Sequence, residues 1–88
     1  MNSPHNSSLN VRAVLGAVFN MPPDSIHDAD SPETIPGWDS FQTLIMFQEL
    51  EKAANVSFKL EDMAQVRTVG DIKKLLQKYN VNLEISSF

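Results

Sequence analysis

The sequence predicts an all-α protein: a small four-helix bundle, with three main helices plus one short helix, and a long first loop. Three observations support this. Apolar residues recur at helical spacing in three segments, most prolines lie in one segment, residues 20–38, and 42% hydrophobic residues suffice for one core in an 88-residue chain. We expect a flexible N-terminus at 1–7, a helical domain at 8–80 and a C-terminal tail at 81–88.

The first helix is predicted from one apolar face with the spacing i, i+3, i+4, i+7: Val11, Val14, Leu15 and Val18. A serine, Ser7 or Ser8, precedes this segment and is expected to cap it. The helix should end near Asn20, because Pro22 and Pro23 cannot continue it.

The segment 20–38 is predicted to be a long loop. It contains Pro22, Pro23, Pro32 and Pro36 together with four acidic residues. A loop of this length in a small domain is uncommon and usually functional. We expect Ile26 and Ile35 to anchor it to the core.

A second helix is predicted from about Ser40 to Ala54. Asp39 followed three residues later by Gln42 resembles a capping box, and Asn55 suits the helix end. One side of this helix carries Thr43, Met46, Phe47, Leu50 and Ala54, and the roughly opposite side carries Phe41, Leu44, Ile45 and Gln48. One side can face the core. The other must be covered by the loop or the tail, or must contact a partner.

A short third helix is expected within "LEDMAQV", with Met63 and Val66 facing inward. Thr68 is a good cap for a last helix, whose buried face is predicted to be Ile72, Leu75, Leu76 and Tyr79. The tail alternates apolar and polar residues, but a single strand has nothing to pair with, so its conformation stays open.

Composition excludes several classes of function. The chain has no cysteine, hence no disulfide framework and no thiolate nucleophile, which fits a cytoplasmic location. A net charge of −4 disfavours nucleic-acid binding. The longest apolar run, Leu44 to Phe47, is far too short for a membrane span. We expect a monomer. We also expect no metal site, because Asp24, Asp28 and Asp30 do not have the spacing of a calcium loop.

Ser40 is a poor candidate for a hydrolase nucleophile. The only histidines are His5, near the N-terminus, and His27, in the acidic loop, and the sequence around Ser40 lacks the flanking glycines of a nucleophile elbow. Ser40 is therefore not predicted to be the nucleophile of a hydrolase. Asp39 and Ser40 could simply cap the helix, although a helix N-terminus is also a natural seat for a phosphate. Trp38 could bury its ring against the bundle or contact a partner.

Several motifs together resemble the acyl carrier protein family. "GWDSF" (Gly37 to Phe41) is similar to the family's Asp-Ser-Leu signature, and "TVGD" (Thr68 to Asp71) is similar to the start of its last helix. The spacing between them also resembles the family, with an apolar pair at Val56 and Phe58 and acidic residues opening the short helix. The resemblance covers roughly residues 9–80.

The resemblance implies a carrier function, in which the protein is not itself an enzyme. Ser40 would carry a 4'-phosphopantetheine arm, transferred from coenzyme A by a phosphopantetheinyl transferase, with Asp39 beside it. The arm's thiol would hold an acyl group as a thioester. The partners would be acyl-activating, acyltransferase or synthase enzymes. The second helix would be the partner face, with the residues Phe41, Leu44, Ile45, Glu49 and Glu51. Met46, Phe47, Met63 and Leu76 would either line a gap for the cargo or belong to the core.

The sequence also departs from the family's usual pattern. Phe41 stands where Leu or Met is usual, and Gln42, Ile45 and Gln48 dilute the acidic second helix. These differences argue against the ordinary fatty-acid enzymes as partners. The segment "PGWDS" resembles the motif of freestanding carriers of specialised pathways, such as polyketide or lipid biosynthesis. Two alternatives stay open: an aminoacyl carrier, of the D-alanyl or peptidyl type, and a helical adaptor that is never modified.

Overall fold

The computed structural model describes residues 8–84 and confirms the predicted all-α fold. The helices in chain order are α1 (Val11–Phe19), α2 (Ser40–Ala54), α3 (Leu60–Met63) and α4 (Val69–Lys78), with one 3-10 turn (Pro23–Ser25) between the first two. No helix among the described residues is long and apolar enough to cross a membrane.

The start of α1 differs from the prediction. The cap is Asn10, whose side-chain oxygen accepts a hydrogen bond from the Ala13 N–H at 3.1 Å, and not Ser7 or Ser8. Ser7 lies outside the described residues, and Ser8 precedes Leu9, which is in a β-bridge and not in a helix. The end of α1 agrees with the prediction, because Asn20 adopts the left-handed conformation that closes it.

The β-bridge also gives the first tail residues a partner. Leu9 and Leu83 form one isolated parallel bridge. The Leu9 N–H donates to the Asn82 carbonyl at 2.9 Å, and the Glu84 N–H donates to the Leu9 carbonyl at 2.9 Å. The expectation that a tail strand has nothing to pair with is therefore wrong for residues 81–84, because the chain just before α1 supplies the partner. The rest of the tail lies outside the described residues.

The long loop is anchored as predicted, with Ile26 fully buried and Ile35 2% exposed. It is also tied to the start of α4. The Gly70 N–H donates to the Asp28 carbonyl at 2.9 Å, and the Asp28 carboxylate forms an ion pair with Lys73, which is 4% exposed. These contacts connect the loop that leads to α2 with the last helix.

The remaining helix ends follow the predicted signals. α2 runs from Ser40 to Ala54, and Asn55 closes it in the left-handed conformation. Thr68 caps α4 and forms a complete capping box with Asp71. The predicted inward residues of the short helix, Met63 and Val66, are partly buried against the core.

The core is formed by side chains from all three main helices and the long loop. Its largest fully buried members are Leu15, Ile26, Ile35, Met46, Leu50, Ile72, Leu76, Val11 and Val69. Phe58 connects the middle of α2 to the end of α4 by edge-to-face contacts with Phe47 and Tyr79. Of the residues considered for a cargo gap, Met46 and Leu76 are fully buried, Phe47 is 6% exposed and Met63 is partly buried. All four therefore pack as core residues.

Candidate functional site

Ser40 is the first residue of α2 and its side chain is exposed. The preceding residue, Asp39, caps the helix: its Oδ1 accepts a hydrogen bond from the Gln42 N–H at 2.8 Å. The first N–H groups of a helix have no partner within the helix, and the macrodipole makes this end partly positive. The Ser40 hydroxyl therefore stands where an attached phosphate would be electrostatically favoured.

The predicted capping box at this site is only half formed. Asp39 caps Gln42, but Gln42 does not return the bond. The Asp39 N–H donates to the Gly37 carbonyl at 3.0 Å, and the Gln42 side-chain amide instead donates to the Val18 carbonyl at 3.2 Å. Gln42 therefore connects the first turn of α2 to the last turn of α1.

Trp38 is buried, with 6% of its surface exposed, so of the two interpretations the packed one is correct. Its ring centroid lies 5.5 Å from that of Phe19, the last residue of α1. Its indole Nε1 donates to the Thr43 hydroxyl oxygen at 3.0 Å. The Thr43 hydroxyl in turn donates to the Asp39 carbonyl at 2.7 Å. The indole thus fixes both the end of the loop and the first turn of α2.

A tight turn brings the chain into this site. The Trp38 N–H donates to the Ile35 carbonyl at 3.2 Å, with Pro36 and Gly37 between them. Gly37 has a φ of 87°, and no atom lies within 4 Å of the position a Cβ would take. A proline followed by a residue with positive φ is typical of a type II turn. The glycine is required here by its backbone conformation and not by crowding.

The outer side of α2 next to Ser40 is apolar and open. Phe41 is 68% exposed and Leu44 is 62% exposed, so within residues 8–84 neither the loop nor the tail covers them. Ile45 is half-buried and lies toward α1. There it contributes to a shallow groove of about 480 Å³ lined by Ala13, Val14, Ala17, Val18, Ile45, Glu49 and Ala53.

The two glutamates predicted for partner contact have different surroundings. The Glu49 carboxylate forms an ion pair with Lys52 at 3.1 Å, and both side chains are substantially exposed. The Glu51 carboxylate accepts a hydrogen bond from the Phe58 N–H at 2.8 Å. Glu51 therefore helps to hold the chain that follows α2, whereas Glu49 remains on the open surface.

The acidic loop and His27 are the other candidates for a site, and the contacts of His27 lie within that loop. The His27 Nδ1 lies 3.7 Å from the Asp30 carboxylate, and that carboxylate also accepts hydrogen bonds from the His27 N–H and the Thr34 hydroxyl. The bond from the His27 N–H lowers the pKa of Asp30 below its ordinary value, with help from Thr34. Within residues 8–84, no cluster of three or more histidine, aspartate or glutamate side chains could hold a metal ion.

The sequence singled out Asp39, Ser40 and the apolar side of α2, but it missed Thr43 as a site residue. Its helical spacing places Thr43 on the core side of α2, but its hydroxyl bridges Trp38 and Asp39. A threonine four residues after a capping residue is a local signal for such back-bonding to the carbonyl. No protein-family model and no curated protein matches this sequence.

Proposed function

We propose that the protein is an acyl carrier, which holds an acyl intermediate as a thioester on a 4'-phosphopantetheine arm attached to Ser40. The observation that carries this proposal is the position of Ser40, an exposed hydroxyl on the first residue of a helix. The turn that bears it is tied to α1 and to the buried Trp38. The motifs "GWDSF" and "TVGD" support the proposal by their resemblance to the carrier family.

The proposed attachment is a group transfer from coenzyme A. The Ser40 Oγ forms a bond to the phosphorus that bears the pantetheine. The pyrophosphate P–O bond on the other side of that phosphorus breaks, and adenosine bisphosphate leaves. The serine proton passes to a base of the transferase. When attached, the arm supplies the thiol that carries the acyl group, which this cysteine-free chain lacks.

The surroundings of Ser40 suit the phosphate of such an arm. A phosphodiester on Ser40 Oγ would lie at the positive end of the α2 dipole. Asp39 directs its Oδ1 to the Gln42 N–H, so its charge is engaged by the helix. An exposed Phe41 and Leu44 next to the site offer apolar contact to the transferase and to the enzymes that load and use the cargo.

The partners of this proposal are a phosphopantetheinyl transferase and acyl-activating, acyltransferase or synthase enzymes. The net charge of −4 favours basic docking surfaces on them. Of the two partner-face glutamates, Glu49 lies in an exposed ion pair with Lys52, whereas Glu51 accepts the Phe58 N–H. In this proposal the protein acts in the cytoplasm as a monomer.

An unmodified adaptor is the second candidate, because Phe41 and Leu44 are exposed whether or not Ser40 is modified. The two functions differ in what they require of the serine. A carrier loses all function with Ser40→Ala, whereas an adaptor that binds through its apolar side chains keeps its partner affinity.

The test is the intact mass after incubation with coenzyme A and a broad-specificity phosphopantetheinyl transferase. We expect a gain of one phosphopantetheine for the wild type and for Ser57→Ala, a control that removes another exposed serine, and no gain for Ser40→Ala. An unchanged mass of folded wild type with several transferases would contradict the carrier function and favour the adaptor.

A further inference from the structure

We propose that Thr43 and Trp38 are positioning residues for Ser40: a hydrogen-bond chain from the indole through the Thr43 hydroxyl to the Asp39 carbonyl holds the peptide that precedes the serine. This inference rests on the proposed attachment at Ser40. It adds two residues that act on the serine through the peptide bond that precedes it.

The Asp39 carbonyl belongs to the peptide bond whose nitrogen is that of Ser40. It accepts two hydrogen bonds from one residue, from the Thr43 N–H at 2.9 Å and from the Thr43 hydroxyl at 2.7 Å. Because a peptide bond is planar, fixing its carbonyl fixes the plane of the Ser40 N–H as well. The direction of the Ser40 Cα–Cβ bond then depends on a single backbone dihedral of the serine.

The Trp38 indole orients the Thr43 hydroxyl, which in turn holds the peptide bond between Asp39 and Ser40. A threonine hydroxyl has one proton to donate, and here the proton goes to Asp39 while the indole Nε1–H is accepted at 3.0 Å. The indole is 6% exposed and packs against Phe19, so its orientation is set by the core. The chain of contacts therefore runs from the end of α1 to the peptide of the modified residue.

A second contact holds the same turn from the other side. The Gln42 amide donates to the Val18 carbonyl at 3.2 Å, and Val18 lies in the last turn of α1. Helix ends ordinarily fray, but the first turn of α2 has ties to α1 through both Gln42 and Trp38. The Cα–Cβ bond of Ser40 is thereby held in one direction, and its hydroxyl is left only a rotation about that bond, which narrows the search for an in-line attack on a phosphorus.

The consequence is specific to the rate of transfer. Removing the Thr43 hydroxyl leaves the exposed partner face intact. It removes one of the two hydrogen bonds to the Asp39 carbonyl and the acceptor of the Trp38 indole N–H, so the peptide before Ser40 is held less firmly. We expect Thr43→Val to lower the kcat of phosphopantetheine transfer about 10-fold, with KM changed less than about 2-fold, since misplacement of a nucleophile acts on the chemical step. Thr43→Ser keeps the hydroxyl and should restore the kcat.

The experiment compares four proteins: the wild type, Thr43→Val, Thr43→Ser and the control Tyr79→Phe. The control also deletes one part-buried hydroxyl with a hydrogen bond, but at the far end of α4, where the Tyr79 hydroxyl donates to Asp62 at 2.7 Å. The first readout is the kcat of phosphopantetheine transfer from coenzyme A and the KM of the transferase for each of the four proteins. The second is the NMR order parameter of the Ser40 N–H, which requires no transferase.

The positioning role requires that Thr43→Val, and none of the other three proteins, has a lowered kcat and a lowered Ser40 order parameter. A Thr43→Val protein with the wild-type kcat and order parameter would overturn the positioning role, and so would equal losses in Tyr79→Phe, which would indicate general destabilisation. If the wild type itself gains no phosphopantetheine, the proposed function fails. The order parameter then still decides whether Thr43 orders the Ser40 peptide.

Discussion

The Tyr79 hydroxyl donates a hydrogen bond to the Asp62 carboxylate at 2.7 Å, and this contact joins α3 to the end of α4. The same hydroxyl accepts from the Lys59 N–H at 2.9 Å, while Lys78 donates to the other Asp62 oxygen at 2.7 Å. α3 has only four residues, too few for an independently stable helix. Its position therefore depends on these contacts as well as on packing.

The first prediction concerns the pH dependence of stability. The hydrogen bond from Lys78 holds the pKa of Asp62 below its ordinary value, with a further contribution from Tyr79. A lowered pKa in the folded state contributes stability above the ordinary carboxylate pKa of about 3.9. That contribution is lost as the pH falls through the folded pKa. Lys78, whose pKa the same bond raises, stays protonated throughout this acidic range.

Asp62→Asn should therefore lower the free energy of unfolding at pH 7, and the difference from the wild type should shrink as the pH falls below about 4. Urea unfolding at pH 7, 5 and 3 measures this difference. Glu61→Gln removes a neighbouring charge and serves as the control. A difference between wild type and Asp62→Asn that is equal at all three pH values would show that the Asp62 charge does not hold α3.

The second prediction concerns Trp38 as the anchor of the site. Trp38→Ala removes a buried ring and leaves the space beside Phe19 empty, so we expect a loss of about 3–5 kcal/mol in the free energy of unfolding. Phe41→Ala is the matched control, because it removes a ring that is 68% exposed and should cost no more than about 0.5 kcal/mol. Urea denaturation compares them, and similar losses in both would refute the anchoring role.

The third prediction concerns the direction in which a glycine substitution in α1 changes the free energy of unfolding. Alanine in a helix is ordinarily about 1 kcal/mol more favourable than glycine. At Gly16, however, a Cβ would lie 2.5 Å from the Met21 carbonyl oxygen, in the turn that ends the helix. We expect Gly16→Ala to lower the free energy of unfolding by about 1–3 kcal/mol, as overpacking does.

Thermal and urea unfolding measure this change. Ala17→Gly, at the exposed neighbouring position, is the control and should cost about 1 kcal/mol by helix propensity alone. A stabilised Gly16→Ala protein would mean that the chain after α1 moves away from the helix without cost.

The fourth prediction concerns the exposed apolar residues of α2. Phe41→Ala and Leu44→Ala should raise the KM of phosphopantetheine transfer for this protein several-fold and leave kcat nearly unchanged, because they remove binding contacts and not the ordering of Ser40. Leu60→Ala, at another large hydrophobic residue, 79% exposed on α3, serves as the control. Steady-state kinetics separates the two constants. An unchanged KM in both α2 variants would remove this face from the transferase contact.

Local sequence signals were sufficient for the helix ends they encode. Asp39 and Asn55 give α2 its bounds, and Thr68 gives α4 its start, because caps and left-handed residues act within a few positions. At the start of α1, Asn10 is itself a favourable capping residue and takes the place predicted for Ser7 or Ser8. The pairing of Leu9 with Leu83, a residue far along the chain, is a different matter. No local pattern contains that partner.

In the candidate site as well, local features could be predicted from the sequence, and contacts between the loop and the helix could not. The sequence predicts Asp39 as the cap of α2 and places Phe41 and Leu44 on the side of α2 opposite the core residues, and both agree with the structure. It did not reveal that the Glu51 carboxylate would accept the Phe58 N–H, or that Trp38 would bond Thr43. Both contacts depend on how a loop packs against a helix, and spacing along one helix carries no information about that.

The measurement that tests the central claim most directly is the intact mass of the protein isolated from the cells that produce it, followed by fragmentation of the peptide that contains Ser40. The carrier function predicts a chain that bears one phosphopantetheine, with or without an acyl group on its thiol, located on Ser40. A chain found only with its unmodified mass, or with the arm on another serine, would contradict the account.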